Sequence, residues 1–207
     1  MSLPDPPILL ITDRKQAARP LIEIVAAAFD GGCRWVMLRE KDLGADERRA
    51  LLHRLLEIAQ PYNATVIVND DLEAAISAGA HGVHLPQKSI DPTTARDRVG
   101  KDALVGVSTH TLAEAQTAAA GGADYITLSP VHISPSKPDY GPPLTPGGFA
   151  KIATQVPLPV LALGGVESAN TPPLMASGAA GIAIMGTIMR ADNPNQQIAN
   201  FIRALRL

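Results

Sequence analysis

The sequence is poor in cysteine, poor in aromatic rings, and without an excess of charge of either sign. One cysteine, Cys33, stands in 207 residues, so no internal disulfide can staple the fold and a reducing, cytoplasmic setting fits best. Aromatic residues make up 3% of the chain, with one Trp; a surface that stacks bases or grips partners through rings needs more. Lys and Arg number 18 against 20 Asp and Glu, which gives no basic footprint for nucleic acid or a membrane surface. No apolar run reaches the roughly 18 residues of a membrane span. The opening residues, Met1 to Pro7, lack the charged and apolar regions of a signal peptide. Apolar residues themselves are plentiful, at 46% against 18% charged. That excludes disorder as the main state and suits one substantial core, since a chain of this size buries roughly 70% of its unfolded surface.

Short apolar runs rich in Val, Ile and Leu recur at Ile8 to Ile11, Trp35 to Leu38, Thr65 to Val68, Gly82 to Leu85, Leu104 to Val107, Tyr125 to Leu128, Val160 to Leu163 and Gly181 to Ile184. Runs without strict alternation read as parallel strands buried on both faces. Helical spacing lies between them, at about 17–30, 46–60, 71–78, 92–99, 112–120, 147–155, 168–176 and 194–206. A weak repeat marks the helix-to-strand turns: Gly31-Gly32, Gly79, Gly121-Gly122 and Gly178 each precede a strand by a few residues, as helix-capping glycines do. Eight such units in one domain spanning 1–207 predict a (β/α)8 barrel near its lower size limit. An open doubly wound sheet is the competing architecture; no glycine-rich dinucleotide fingerprint follows the first strand to support it.

In a barrel, chemistry belongs where the strands finish, and polar residues gather there. Thr12-Asp13, Arg39-Glu40-Lys41-Asp42, Asn69-Asp70-Asp71, Gln87-Lys88-Ser89, Ser108-Thr109-His110 and Ser129 onward follow the first six strands; Gly164-Gly165 and Gly186-Thr187 follow the last two. Arg39 and Lys41 alternate along a strand and so point the same way, Glu40 the other. Two cations in one mouth call for a shared anion such as phosphate, although a surface Arg–Glu pair would also place an arginine there. The glycine pairs suit a backbone phosphate cradle of the kind found after strands seven and eight, as well as plain turns. Asp70 offers a hard oxygen ligand for Mg2+; Asp71 reads equally as a helix N-cap. Ser134 to Pro138 reads as a lid carrying Lys137, or as a solvated loop. Of the five histidines, His84 falls inside a strand and reads as barrel-lining, while His53 and His81 read as surface. His110 and His132 lie on the catalytic side without metal-site spacing.

Together these residues resemble the thiamine phosphate synthase and thiazole tautomerase superfamily over nearly the whole chain. The resemblance is carried by Leu10 to Asp13, Leu38 to Lys41, Val68 to Asp70, Gly82 to Leu85, Gly106 to His110, Ala123 to Tyr125, Ser129 to Val131 with Ser136-Lys137, Leu163 to Val166, and Gly181 to Gly186. It implies an enzyme that joins hydroxymethylpyrimidine diphosphate to thiazole phosphate and releases pyrophosphate. Arg39, Lys41, Asn69, Lys137 and Mg2+ would hold the diphosphate, and Ser108 would sit by the pyrimidine. Ser134 and Ser136 would bind substrate, and Gly164, Gly165, Met185 and Gly186 would take the thiazole phosphate. The chain departs from the synthase pattern at Met37, where the family has Gln, and at Ser89, where a second metal-binding Asp is replaced; weakened Mg2+ binding follows. Ser134 and Ser136 stand where the family has Thr. The tautomerase branch aromatises a thiazole carboxylate phosphate without metal. Its catalytic His falls at Pro130 here, leaving His110 or His132 as acid–base groups. A silent binder of such phosphates is a third reading, and a homo-oligomer remains open.

Overall fold

The computed structural model describes residues 2–133 and 142–206. Eight parallel strands close into a barrel in chain order: β1 (Ile8–Ile11), β2 (Trp35–Leu38), β3 (Thr65–Asn69), β4 (Gly82–Leu85), β5 (Leu104–Thr109), β6 (Tyr125–Leu128), β7 (Val160–Leu163) and β8 (Gly181–Ile184). The ring shuts where β1 pairs with β8, Ile8 opposite Ile182 and Leu10 opposite Ile184. The helices are α1 (Leu21–Asp30), α2 (Ala45–Ala59), α3 (Leu72–Ala78), α4 (Pro92–Val99), α5 (Leu112–Ala120), α6 (Thr145–Ala153), α7 (Thr171–Ala176), α8 (Gly186–Met189) and α9 (Pro194–Ala204). The barrel reading therefore holds against the open sheet. No helix among the described residues is long and apolar enough to cross a membrane.

Local chemistry sets the boundaries. The first helical stretch, expected from about 17, starts at Leu21, because Pro20 holds an extended ψ of 130° at its N-cap. From there Leu21, Ile24, Val25, Ala28 and Phe29 are buried along one stripe, the spacing of a face packed on a sheet. Asp71, Asp91, Thr111 and Asn193 each accept a backbone N–H in the first turn of the helix they precede. The stretch expected as a helix at 168–176 splits into a 3-10 turn (Ser168–Asn170) and α7. The four-residue α8 has no counterpart in the sequence reading, since one turn carries no periodic signal.

Alternation along the strands makes two cores. Outward-facing Ile8, Leu10, Val36, Leu38, Val66 and Val68 pack under the helices. Inward-facing Leu9, Ile11, Trp35, Met37, Ile67, Leu104, Tyr125, Leu161 and Ala183 fill the barrel. Trp35 and Tyr125 meet edge to face there, centroids 4.7 Å apart. Tyr125 finds room because β5 carries Gly106 opposite it; a Cβ at Gly106 would lie 2.1 Å from the Tyr125 ring. Above them His84 is fully buried, its Nδ1 2.9 Å from the Tyr125 hydroxyl and its Nε2 2.9 Å from Ser108 Oγ. Burial first, and the nearby Arg39 charge second, push the His84 imidazole down from 6.5 to about 3.

Two outcomes follow. Gly106→Ala forces a methyl group into the Tyr125 ring, and overpacking of this kind costs about 1–3 kcal/mol; thermal unfolding should show a Tm lowered by several degrees. His84 stays neutral in the folded chain, while the unfolded chain protonates it below pH 6.5. Stability is therefore unaffected by this group above about pH 6.5 and falls as pH drops from there toward 3, by at most about 1.4 kcal/mol per pH unit. Glu40, whose carboxyl burial raises above 4.5, gives the opposite slope, and comparison of two proteins that both carry it cancels that contribution. Denaturant midpoints measured at pH 7 and pH 5 should fall more in the wild type than in His84→Asn.

Candidate functional site

Arg39 follows Trp35 and Met37 just past the end of β2 at Leu38 and lines the cavity at the barrel mouth, whereas Lys41 lies exposed in the turn beyond it and lines neither of the two cavities described below. The Arg39 backbone is fixed by its N–H, which donates to Thr12 Oγ1 at 2.9 Å. Glu40 points the other way. It is 3% exposed, and its two carboxylate oxygens each accept the Arg14 N–H at 3.1 Å. The partner of Glu40 is thus Arg14 and not Arg39, which removes the surface Arg39–Glu40 pair. Among the described residues no carboxylate forms an ion pair with Arg39 or Lys41.

A cavity of about 310 Å3 opens beside Arg39 over the ends of β7, β8 and β1, within the size of small-molecule sites. Its wall includes Ile11, Leu163, Gly164, Gly165, Glu167, Met185, Gly186, Thr187 and Arg190. Five residues picked from the sequence (Arg39, Gly164, Gly165, Met185 and Gly186) share this one space. Gly164 and Gly165 have φ of +100° and +61°, which favours glycine at both. The loop after β6 also requires them. A Cβ at Gly165 would lie 2.6 Å from the Ile133 carbonyl oxygen and 2.8 Å from His132 Cβ, and one at Gly164 would lie 3.0 Å from Pro130. The pair therefore lets Pro130 to Ile133 lie against the β7 end, where the His132 N–H donates to the Gly164 carbonyl at 3.0 Å.

A second depression, of about 410 Å3, lies between the loop after β4 and α5, and Ser89, Ser108 and Glu114 line it. Asn69 sits opposite His84 in the β3–β4 register. Asp70 stands at the rim with φ of +55° and accepts a short hydrogen bond from Ser89 Oγ. Asp71 is committed elsewhere: it caps α3 through the Ala74 N–H at 2.9 Å and pairs with Arg48 Nε at 2.6 Å, so the N-cap reading holds. No cluster of three or more His, Cys, Asp or Glu suited to a metal occurs among the described residues. Asp70 with the Ser89 hydroxyl is the hard-oxygen pair that remains, and no cation pairs with it among those residues.

Neither histidine suggested as an acid–base group lines either cavity. His110 Nδ1 lies 2.8 Å from the Ser129 carbonyl oxygen and 3.1 Å from its hydroxyl. His132 backs onto Gly165, its Nε2 buried without a hydrogen-bond partner among the described residues. Pro130 does line the first cavity. Cys33 is buried, and burial lifts its thiol to about 11, which makes it inert. Ser134, Ser136 and Lys137 lie outside the described residues. Two features escaped the sequence reading: the Tyr125–His84–Ser108 chain, which links residues 41 and 24 positions apart, and Arg190. For the first, the Gly106 inside an otherwise apolar strand was the available signal.

A family model described as thiamine monophosphate synthase matches residues 8–188. The thiamine-phosphate synthase of a Roseiflexus species is 38% identical over 188 residues, covering 90% of this chain and 80% of that protein. The thiamine-phosphate synthase of Geobacillus thermodenitrificans is 33% identical over 203 residues, covering 96% and 91%. The solved structure of a thiamine phosphate pyrophosphorylase from Pyrococcus furiosus superposes with a TM-score of 0.86 at 26% identity, covering 96% of this chain and 95% of that one. The barrel, the order of its rim residues and these matches agree: the chain belongs to the thiamine monophosphate synthase family.

Proposed function

We propose that this enzyme joins hydroxymethylpyrimidine diphosphate to thiazole phosphate and releases pyrophosphate. The observation that carries the reading is that Arg39, unpaired with any carboxylate among the described residues, lines a glycine-walled cavity at the barrel mouth, with the unpaired Lys41 two residues further along the same loop. Uncompensated cations are what a departing diphosphate needs. In the step, the bond from the pyrimidine methylene carbon to the diphosphate oxygen breaks and its electron pair leaves with the oxygen. The ring nitrogen of the thiazole then gives its lone pair to that carbon. No proton has to be transferred for either bond change, so the site needs positioned charge more than a base.

The roles divide accordingly. Arg39, Lys41 and Asn69, with Lys137, hold the diphosphate and take up its developing charge. Ser108, oriented by neutral His84, contacts the pyrimidine. Gly164, Gly165, Met185 and Gly186 receive the thiazole phosphate, and Ser134 and Ser136 bind substrate from the strand-six loop. Asp70 and Ser89 fit Mg2+, a hard ion that accepts one carboxylate and completes its shell with phosphate oxygens and water. When bound, the ion supplies positive charge to the leaving diphosphate. With Ser89 in place of a second carboxylate, its affinity is set by Asp70 and the substrate. The tautomerase alternative needs an acid–base group at the substrate, and the wall of the cavity offers Pro130 in that place.

The assay is pyrophosphate release from the two substrates with and without Mg2+. Wild type should turn over with Mg2+ and lose activity in a chelator, and Arg39→Ala should lower kcat/KM by at least roughly a hundredfold, as loss of a charge-stabilising donor does. Ser89→Asp should reduce the Mg2+ concentration for half-maximal rate about tenfold, because it adds a carboxylate ligand. Release no faster than in Arg39→Ala overturns the reading. In that case metal-independent isomerisation of the thiazole carboxylate phosphate would identify a tautomerase, and tight binding without turnover in either assay a silent binder.

A further inference from the structure

Gly186 leaves open the space in which the Arg190 guanidinium lies. Its φ is not among the positive values that favour glycine, so its backbone would admit other residues. A Cβ there, however, would lie 2.4 Å from Nη1 and 2.7 Å from Nη2 of Arg190, four residues on. The missing side chain is the seat of a guanidinium. Arg190 thereby joins the wall of the 310 Å3 cavity beside Gly165 and Thr187.

The β1–α1 loop holds the guanidinium in place. Arg190 Nη1 donates to Gln16 Oε1, and Gln16 Nε2 donates to Asp13 Oδ2 at 2.6 Å. Asp13 is itself fixed by the Lys15 N–H, which donates to Oδ1 at 3.1 Å. The direct partner of Arg190 is thus a neutral amide, and the cation keeps its full charge. Its Nε and Nη2 have no hydrogen-bond partner among the described residues, and no carboxylate there forms an ion pair with it. Glu167 lines the same cavity and is not paired with it either. A planar donor group, oriented by a neutral relay and with donors to spare, matches the geometry of a phosphate monoester.

We infer that Arg190 is a specificity-determining residue: it binds the phosphate of the thiazole substrate and separates the phosphorylated acceptor from its free alcohol. The identity of the acceptor rests on the synthase reading; the binding of a phosphate monoester at Arg190 does not.

Steady-state kinetics and calorimetry test this together. Arg190→Met should raise KM for thiazole phosphate roughly ten- to hundredfold, the worth of a charged hydrogen bond of about 1.5–3 kcal/mol. KM for the pyrimidine diphosphate and kcat at saturation should stay within about twofold of wild type, and the preference for thiazole phosphate over the thiazole alcohol should collapse. Arg190→Lys should recover part of the loss, since Lys is a point charge without the fork. Arg190→Gln, which removes the charge and keeps a polar side chain beside Gln16, should match Arg190→Met. Arg190→Gln also stands in should Arg190→Met fail to fold, which thermal unfolding would show. Titration of the protein with thiazole phosphate alone reads the same affinity without turnover, so it decides on Arg190 even if the enzyme makes no thiamine phosphate. An unchanged dissociation constant in both variants, or an equal loss for the alcohol, overturns the inference.

Discussion

The edge-to-face contact of Trp35 and Tyr125 closes the bottom of the site, and the chemistry above it depends on that floor. The two rings are fully buried at the centre of the barrel, where their bulk fills space that eight converging strands would otherwise leave empty. Because Tyr125 is fixed by the gap at Gly106, its hydroxyl has a defined position, and that hydroxyl sets His84. The imidazole has one donor and one acceptor when neutral, and it spends both on hydroxyls, one at the floor and one at Ser108 near the rim. A chain of three polar groups thus transmits the packing of the core to a residue at the mouth. Its neutrality matters: a charged imidazole near Arg39 would set two cations against each other.

Charge at the rim is arranged by commitment of the carboxylates. Glu40 is turned outward to Arg14, Asp42 pairs with Arg14 and Lys15, Asp71 with Arg48, and Asp124 with Arg96. Each of these acids lies close in sequence to the mouth or to a barrel strand, and each is engaged by a cation on the outside of the fold. What is left at the mouth is Arg39 on the β2 side, Asp70 with Ser89 beside β3, and Glu167 and Glu114 in the walls of the two cavities. A chain with a net charge of −2 can therefore present an uncompensated cation at Arg39, because the local charge is set by pairing and direction, not by composition.

Much of this was legible in the residue order. Buried parallel strands announce themselves as unbroken Val, Ile and Leu, and all eight barrel strands lie where such runs occur. The place of Arg39 beside the mouth follows from strand order, although β2 ends at Leu38 and the alternation expected on to Lys41 gives way to a turn; the grouping of Gly164, Gly165, Met185 and Gly186 follows once the last two strands are adjacent. What sequence spacing does not carry is any contact made across the barrel. Nothing near His84 in the chain points to Tyr125 or Ser108, and nothing near Arg190 points to Gln16, 174 positions earlier. The same limit applies to Glu40, whose Arg14 partner is 26 residues away. It applies also to Gly164 and Gly165, where a turn or a phosphate cradle was readable but the close approach of Pro130 to Ile133 was not.

The layout also bears on how one mouth keeps two anions apart. Diphosphate and monophosphate would each be drawn to any exposed cation, so charge alone gives no order. In the proposed reaction the site would separate them by the reach of its elements. Arg39, just past β2, and Asp70, just past β3, follow strands that are neighbours in the barrel. The glycine-walled cavity is bounded instead by β7, β8 and β1, with Ile11, Leu163 and Met185 presenting apolar surface. Arg39 belongs to both halves, since it extends from the strand that pairs with β1. In the proposed reaction the uncharged thiazole ring would lie over the apolar residues, its phosphate held at the far wall and its nitrogen toward the pyrimidine. An anion bound at that far wall keeps the acceptor from competing for Arg39, and so leaves Arg39 free for the charge that appears as the diphosphate departs. A site with the same residues but one undivided pool of cations would bind both substrates more tightly and align neither.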